Sequence, residues 1–198
     1  MDVDWRFREL LRRAVKAVSK FFPEYMVVGG AAYNFYAPPM ATADVDLLVK
    51  LRSRSAEDLV EILDLLRRQG FEVEPFEAGH WHYRLRGGWG DVDLVDPPNF
   101  SYSREAELKR RLVRLRKVGE LFLASPEDLA LSFVAGYVER RVLKDLARAE
   151  ALIAYRLYVG DFDENYFLRR AREHSSVVEA FAAKLLSTVK ASKRRKIR

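Results

Sequence analysis

The sequence contains no cysteine, which excludes disulfides and thiolate metal sites. It has no apolar run approaching the ~18 residues that a bilayer-spanning helix needs. Its first residues, MDVDWRFREL, carry acids where a secretory signal would carry an apolar core. These absences lead us to expect a cytoplasmic protein with no membrane partner. Amides are scarce as well: Asn34, Gln69, Asn99 and Asn165 are the only four. Beside 32% charged residues, so few thermolabile side chains point to a thermophilic source. Acids are missing from the last ten residues, VKASKRRKIR, which hold six basic ones. Those six equal the whole net charge of +6, since 35 Lys and Arg less these six leaves 29 against 29 Asp and Glu. Residues 191–198 therefore read as a basic, disordered tail on a neutral body, solvated or touching nucleic acid.

The rest of the chain suits a folded body. With 198 residues and 49% hydrophobic content, it can bury one core and carry a helical extension. From Trp5 to Phe22, apolar residues recur at three and four positions and Pro23 stops the helix. Tyr25 to Val28 reads as a short buried strand running into Gly29-Gly30, and Ala31 to Tyr36 as a brief helix ended by Pro38-Pro39. ADVDLLVK (43–50) is a strand, and Ser55 to Gln69 a helix capped by Ser55 and stopped by Gly70. Three β segments follow, over 71–76, 81–86 and 91–95, the last two joined as a hairpin at Gly87-Gly88. A basic helix over 104–111 and a hairpin turning at Gly119-Glu120 come next. Ser125-Pro126-Glu127-Asp128 then opens a helical stretch to Lys190, broken near Arg140-Arg141 and Gly160-Asp161. The expected fold class is α+β, a mixed sheet flanked by helices over 1–124, with a helical region over 125–190 packed on it. Leu129, Phe133, Leu146, Leu152 and Phe181 are its expected core.

The chemistry concentrates in MVVGGAAYNFYAPPMATADVDLLVK, residues 26–50. A buried strand delivers two glycines to a helix start, where the backbone can approach a phosphate and free N–H groups attract anions. Asp44 and Asp46 lie two apart on an apolar strand, so both carboxylates leave one face. Such a pair calls for a cation between its members, and a hard divalent ion with oxygen ligands is the natural one. The strand GDVDLVD repeats the device with Asp91 and Asp93, and either can be the third carboxylate of a phosphoryl-transfer site. Each feature alone has a bland explanation, a turn or an exposed strand pair; their combination and order are more specific.

Strand, Gly-Gly, Asp-x-Asp strand and later Asp strand together resemble the DNA polymerase β-type nucleotidyltransferase superfamily, and within it the small prokaryotic AbiEii-like and minimal nucleotidyltransferase proteins. Thr42, Asp44 and Asp46 match that pattern, whereas its arginine position is Met40. SPEDLALSFVAGYVERRVLKDLARAEALI (125–153) resembles the segment after the catalytic sheet; Lys144-Asp145 match a later Lys-Asp, and the region of the family's lysine holds Ser132 and Phe133. The resemblance implies a nucleotidyltransferase-fold domain that binds a nucleoside triphosphate at Gly29, Gly30 and Thr42. It implies Mg2+ or Mn2+ on Asp44, Asp46 and Asp93, and transfer of a nucleoside monophosphate to a protein, RNA or small-molecule hydroxyl. It leaves room for a catalytically decayed nucleotide-binding or toxin–antitoxin module.

Other candidates stand apart from this motif. His80 and His82 flank Trp81 with both imidazoles on one strand face, within reach of a nucleotide or as ordinary surface histidines. Arg169 and His174 echo the spacing of a helical ribonuclease motif, in a sequence rich enough in arginine for chance. The basic stretch Arg104–Lys117 is a solvated face or an acceptor groove.

Overall fold

A computed structural model describes residues 5–51, 54–75, 81–88, 90–96 and 103–196. The chain divides into two compact units, Met1–Ala31 with Ala41–Ala124, and Ala32–Met40 with Ser125–Arg198. The second therefore takes Ala32–Met40 in addition to everything past residue 124.

The first unit is built on a mixed sheet. Helix α1 (Trp5–Val18) buries Leu10, Leu11, Ala14, Val15 and Val18, the stripe its periodicity predicts. It is followed by β1 (Met26–Val28), the opening of α2 (Gly29–Tyr36), β2 (Asp44–Leu48) and α3 (Ala56–Arg68). The Ser55 hydroxyl caps α3 by accepting the Asp58 N–H at 3.1 Å. Then come β3 (Glu72–Pro75), β4 (Trp81–Gly87), β5 (Gly90–Asp96), α4 (Arg104–Lys109), β6 (Arg111–Leu115) and β7 (Gly119–Leu123). The seven strands run in the order β3-β4-β5-β2-β1-β7-β6. β2 lies parallel to β5 and antiparallel to β1, and β4 is antiparallel to β5.

One turn differs from the sequence reading. Residues 116–118 join β6 to β7, with Lys117 at φ 71°, and Gly119 already pairs with Leu115. The turn thus lies ahead of the expected Gly119-Glu120, because Glu120 is needed in the ladder opposite Arg114.

The central strands carry opposite chemistry on their two faces. Val45, Leu47, Val92 and Leu94 are fully buried, and α1 packs against β2 and β5. On the other face, Leu48 and Met26 are covered by Ala106 of α4 and by Ala124. Asp44 and Asp46 share the parity of Leu48, so this face is apolar at one end and acidic at the other.

The second unit is helical: α5 (Pro126–Arg140), α6 (Leu143–Val159), α7 (Glu164–His174) and α8 (Ser176–Lys196), together with the larger part of α2. Tyr33 of α2 meets the Phe133 ring edge-on, with centroids 6.2 Å apart, which ties this short helix to α5. Leu129, Phe133 and Leu152 are buried as expected, while Leu146 and Phe181 are half-buried. The anticipated breaks fall at Arg141 (φ 58°) and Gly160 (φ 85°). A third, at Ser175, has no signal in the periodicity. Helix α8 reaches Lys196, where the sequence reading placed a disordered tail from residue 191. No glycine or proline interrupts the segment, and lysine and arginine are good helix formers. Among the described residues no helix is long and apolar enough to cross a membrane.

Candidate active site

The acidic end of the sheet face comes from strand register. In the parallel β2–β5 ladder, Asp44 stands opposite Asp91 and Asp46 opposite Asp93. The alternation that buries Val45, Leu47, Val92 and Leu94 on one face puts these acids on the other. Carboxylate oxygens of Asp44, Asp46 and Asp93 all lie within 4.8 Å of one another. Asp91 and Asp93 differ in depth: the Asp91 side chain is 40% exposed and that of Asp93 7%.

Gly29 makes room for this group. It sits at φ 61°, and a Cβ there would overlap Oδ2 of Asp46. Both the conformation and the space demand glycine. Val28 is the ladder partner of Asp46, so β1 brings the Gly29-Gly30 helix start beside the acid. Gly30 is buried in the first turn of α2. The Thr42 hydroxyl donates to Asp44 Oδ1 at 3.0 Å and holds that carboxylate in place.

β4 adds two further side chains. Arg84 faces Asp93 across the antiparallel ladder and donates to both its oxygens, Nε to Oδ1 and Nη2 to Oδ2, each at 2.8 Å. Its Nε also lies 3.9 Å from Asp91 Oδ2. The hydrogen bonds to Asp93, then the charges of Asp93, Asp91 and Asp44, push the Arg84 guanidinium pKa still higher. His82, one pleat along, has Nε2 3.7 Å from Asp93 Oδ2. Sequence reasoning missed Arg84, whose place depends on the hairpin register. Closing the hairpin with Gly87 opposite Gly90 makes Arg84 and Asp93 cross-strand partners.

The donor set fits a hard divalent ion. All three ligands are carboxylates, and oxygens on one octahedral ion with bonds of ~2.1 Å lie roughly 3–4 Å apart. The spacing found suits a divalent ion after small side-chain shifts.

Other sequence candidates lie elsewhere. Lys144 and Asp145 open α6 in the second unit, Lys144 exposed and Asp145 paired with Arg140 at 3.1 Å. Ser132 donates its hydroxyl to the Leu129 carbonyl within α5. Arg169 pairs with Glu173, and His174 Nε2 lies 3.7 Å from Glu139, so these two side chains are engaged by different neighbours. In the basic stretch, Arg110 stacks 3.8 Å from the Phe122 ring centroid and donates to the Pro23 and Tyr25 carbonyls, and Arg114 pairs with Glu120. His80 lies outside the described residues.

No family model and no curated protein matches the chain. Solved structures do. An antigenic nucleotidyltransferase-like protein from Paracoccidioides brasiliensis aligns with TM-score 0.50 and 22% identity over 73% of this chain and 76% of that one. The antibiotic-resistance factor ANT(2'')-Ia in solution aligns with TM-score 0.52 and 12% identity, covering 98% and 95%. A Thermotoga maritima protein assigned as a nucleotidyltransferase gives TM-score 0.52 and 13% identity over 70% and 90%. At such identities the likeness is one of fold, and it agrees with the arrangement of strands that carries the three aspartates: the chain has the nucleotidyltransferase fold.

Proposed function

We propose that the protein is a magnesium-dependent nucleotidyltransferase that moves a nucleoside monophosphate from a triphosphate onto a hydroxyl of RNA, a protein or a small molecule. The observation that carries this reading is the meeting of Asp44, Asp46 and Asp93 oxygens within 4.8 Å, beside a glycine whose Cβ would overlap Asp46. Asp44, Asp46 and Asp93 would hold Mg2+ or Mn2+, which supplies neutralisation of charge on the phosphates and on the attacking oxygen.

The remaining work falls to the chain's own groups. Backbone N–H groups at Gly29 and Gly30 receive phosphate oxygens at the start of α2. Thr42 fixes the Asp44 carboxylate. The acceptor oxygen bonds to the α-phosphorus in line with the departing pyrophosphate, whose bridging oxygen keeps the electron pair of the broken P–O bond. The acceptor's proton passes to Asp93.

A second reading, a decayed nucleotide-binding or toxin–antitoxin module, is favoured by Met40 and Ser132, which stand where the resemblance expects a phosphate-neutralising arginine and a lysine. The two are separated by incubating the protein with α-labelled nucleoside triphosphates, magnesium and total cell lysate. Transfer of label by the wild type and not by Asp44→Asn supports the enzyme. Nucleotide binding with no transfer to any component supports the module.

A further inference from the structure

Arg84 is the guanidinium set into the acidic face, and its surroundings differ from those of a structural arginine. Arg170, in the second unit, has a side chain only 2% exposed, enclosed by Asp128 and Glu173. Arg84 is 21% exposed, on the face where the carboxylates gather. Its fork takes one hydrogen-bonding direction on each Asp93 oxygen. A divalent ion drawn in by Asp44, Asp46 and Asp93 would compete for those oxygens and repel the guanidinium beside them. Arginine cannot relieve this by losing its proton, so it must find another anion. A triphosphate arriving with the ion offers paired non-bridging oxygens that match the same fork.

We infer that Arg84 is a triphosphate-binding residue held in place by Asp93 until an ion occupies the site, when its fork changes partner from carboxylate to phosphate. Arg84 thus fills two roles in turn, as counter-ion of the empty cluster and as clamp on the leaving phosphates. The inference rests on the nucleotidyltransferase reading but makes a separate demand on one side chain. Removing Arg84 must change affinity for the ion and for the phosphates in opposite directions, which loss of a structural brace would not do.

The test is calorimetric titration of the purified protein with Mn2+ alone, then with inorganic tripolyphosphate in the presence of Mn2+, a probe independent of base preference. Arg84→Met is expected to bind Mn2+ several-fold more tightly and tripolyphosphate about tenfold more weakly. Arg84→Lys, which keeps charge but not the fork, is expected to fall between the two on tripolyphosphate. It carries the test alone if the methionine variant does not melt as a folded protein. Arg84→Met that binds Mn2+ no tighter than wild type, or either variant that binds tripolyphosphate as tightly as wild type, overturns the inference and leaves the parent reading standing. A wild type that binds neither probe overturns both.

Discussion

The two units handle buried acid in opposite ways. In the helical unit Asp128, Glu127 and Asp145 each have their own donors. Asp128 accepts from the Ser125 and Tyr166 hydroxyls, both at 2.8 Å, and from Arg170 at 3.4 Å. Glu127, only 4% exposed, accepts the Asp163 N–H at 2.8 Å, and Asp145 takes Arg140. In the sheet unit, Asp44, Asp46 and Asp93 point at one another across a half-open face, with the Arg84 fork on the deepest of them. Acids that brace a fold come singly with hydrogen-bond partners. Acids grouped against mutual repulsion form a set that could hold a cation, as the proposed function requires.

This contrast can be broken most forcefully at the chemistry. Asp44→Asn should reduce nucleotidyl transfer at least about a thousandfold while the protein remains folded, because it would remove a proposed metal ligand and a fixed charge together. Labelled-nucleotide transfer under matched conditions measures it.

The same chemical change should have opposite consequences for stability in the two units. Asp128→Asn should lower unfolding free energy by about 1–3 kcal/mol, since it weakens a network whose other members stay buried. Asp44→Asn should leave the metal-free protein equally or more stable, because it removes a repelling neighbour. Paired denaturant titrations decide the point, and equal losses would erase the distinction between brace and site. Gly29→Ala comes next, at about 1–2 kcal/mol, from the left-handed backbone and the overlap with Asp46. It should also weaken metal binding, so a melt with and without magnesium reports both effects.

The smallest effect lies on α1. Glu9 accepts hydrogen bonds from Arg12 and Arg13, which hold its carboxyl well below the usual range, at about 2. A depressed carboxyl contributes stability above its unfolded pKa of about 4.5 and loses it as pH falls through the folded value. Glu9→Gln should therefore melt slightly below wild type near neutrality, with the two curves converging as pH falls from about 4.5 to 2. A wild-type curve identical to that of the variant would show the pair to be inert.

Much of this arrangement was legible beforehand, for particular reasons. ADVDLLVK and GDVDLVD alternate acid with aliphatic, so parity alone put each pair of aspartates on one face. Ser125-Pro126-Glu127-Asp128 announced α5 through its capping chemistry. The sequence could not show that β2 and β5, separated by a helix and two strands, pair in parallel with Asp46 against Asp93. Local residues left Asp91 and Asp93 equivalent, and register with the difference in depth separates them. Arg84 was missed because one arginine among 35 basic residues carries no signal until the hairpin register is drawn. The break at Ser175 and the helical run to Lys196 were missed because capping by serine and a polar helix end leave little trace in hydrophobic periodicity.

The central claim, that the acidic face of β2 and β5 receives a divalent ion and a triphosphate, is tested most directly by thermal melts of wild type and Asp44→Asn. Each protein is melted alone, with magnesium, and with magnesium plus a mixture of nucleoside triphosphates. The wild type should gain several degrees with both present, as mass action requires when ligand is about a hundredfold above its dissociation constant. Asp44→Asn should not respond. A wild type that melts at one temperature in all three conditions, or an Asp44→Asn protein that gains as much as wild type, would contradict the account.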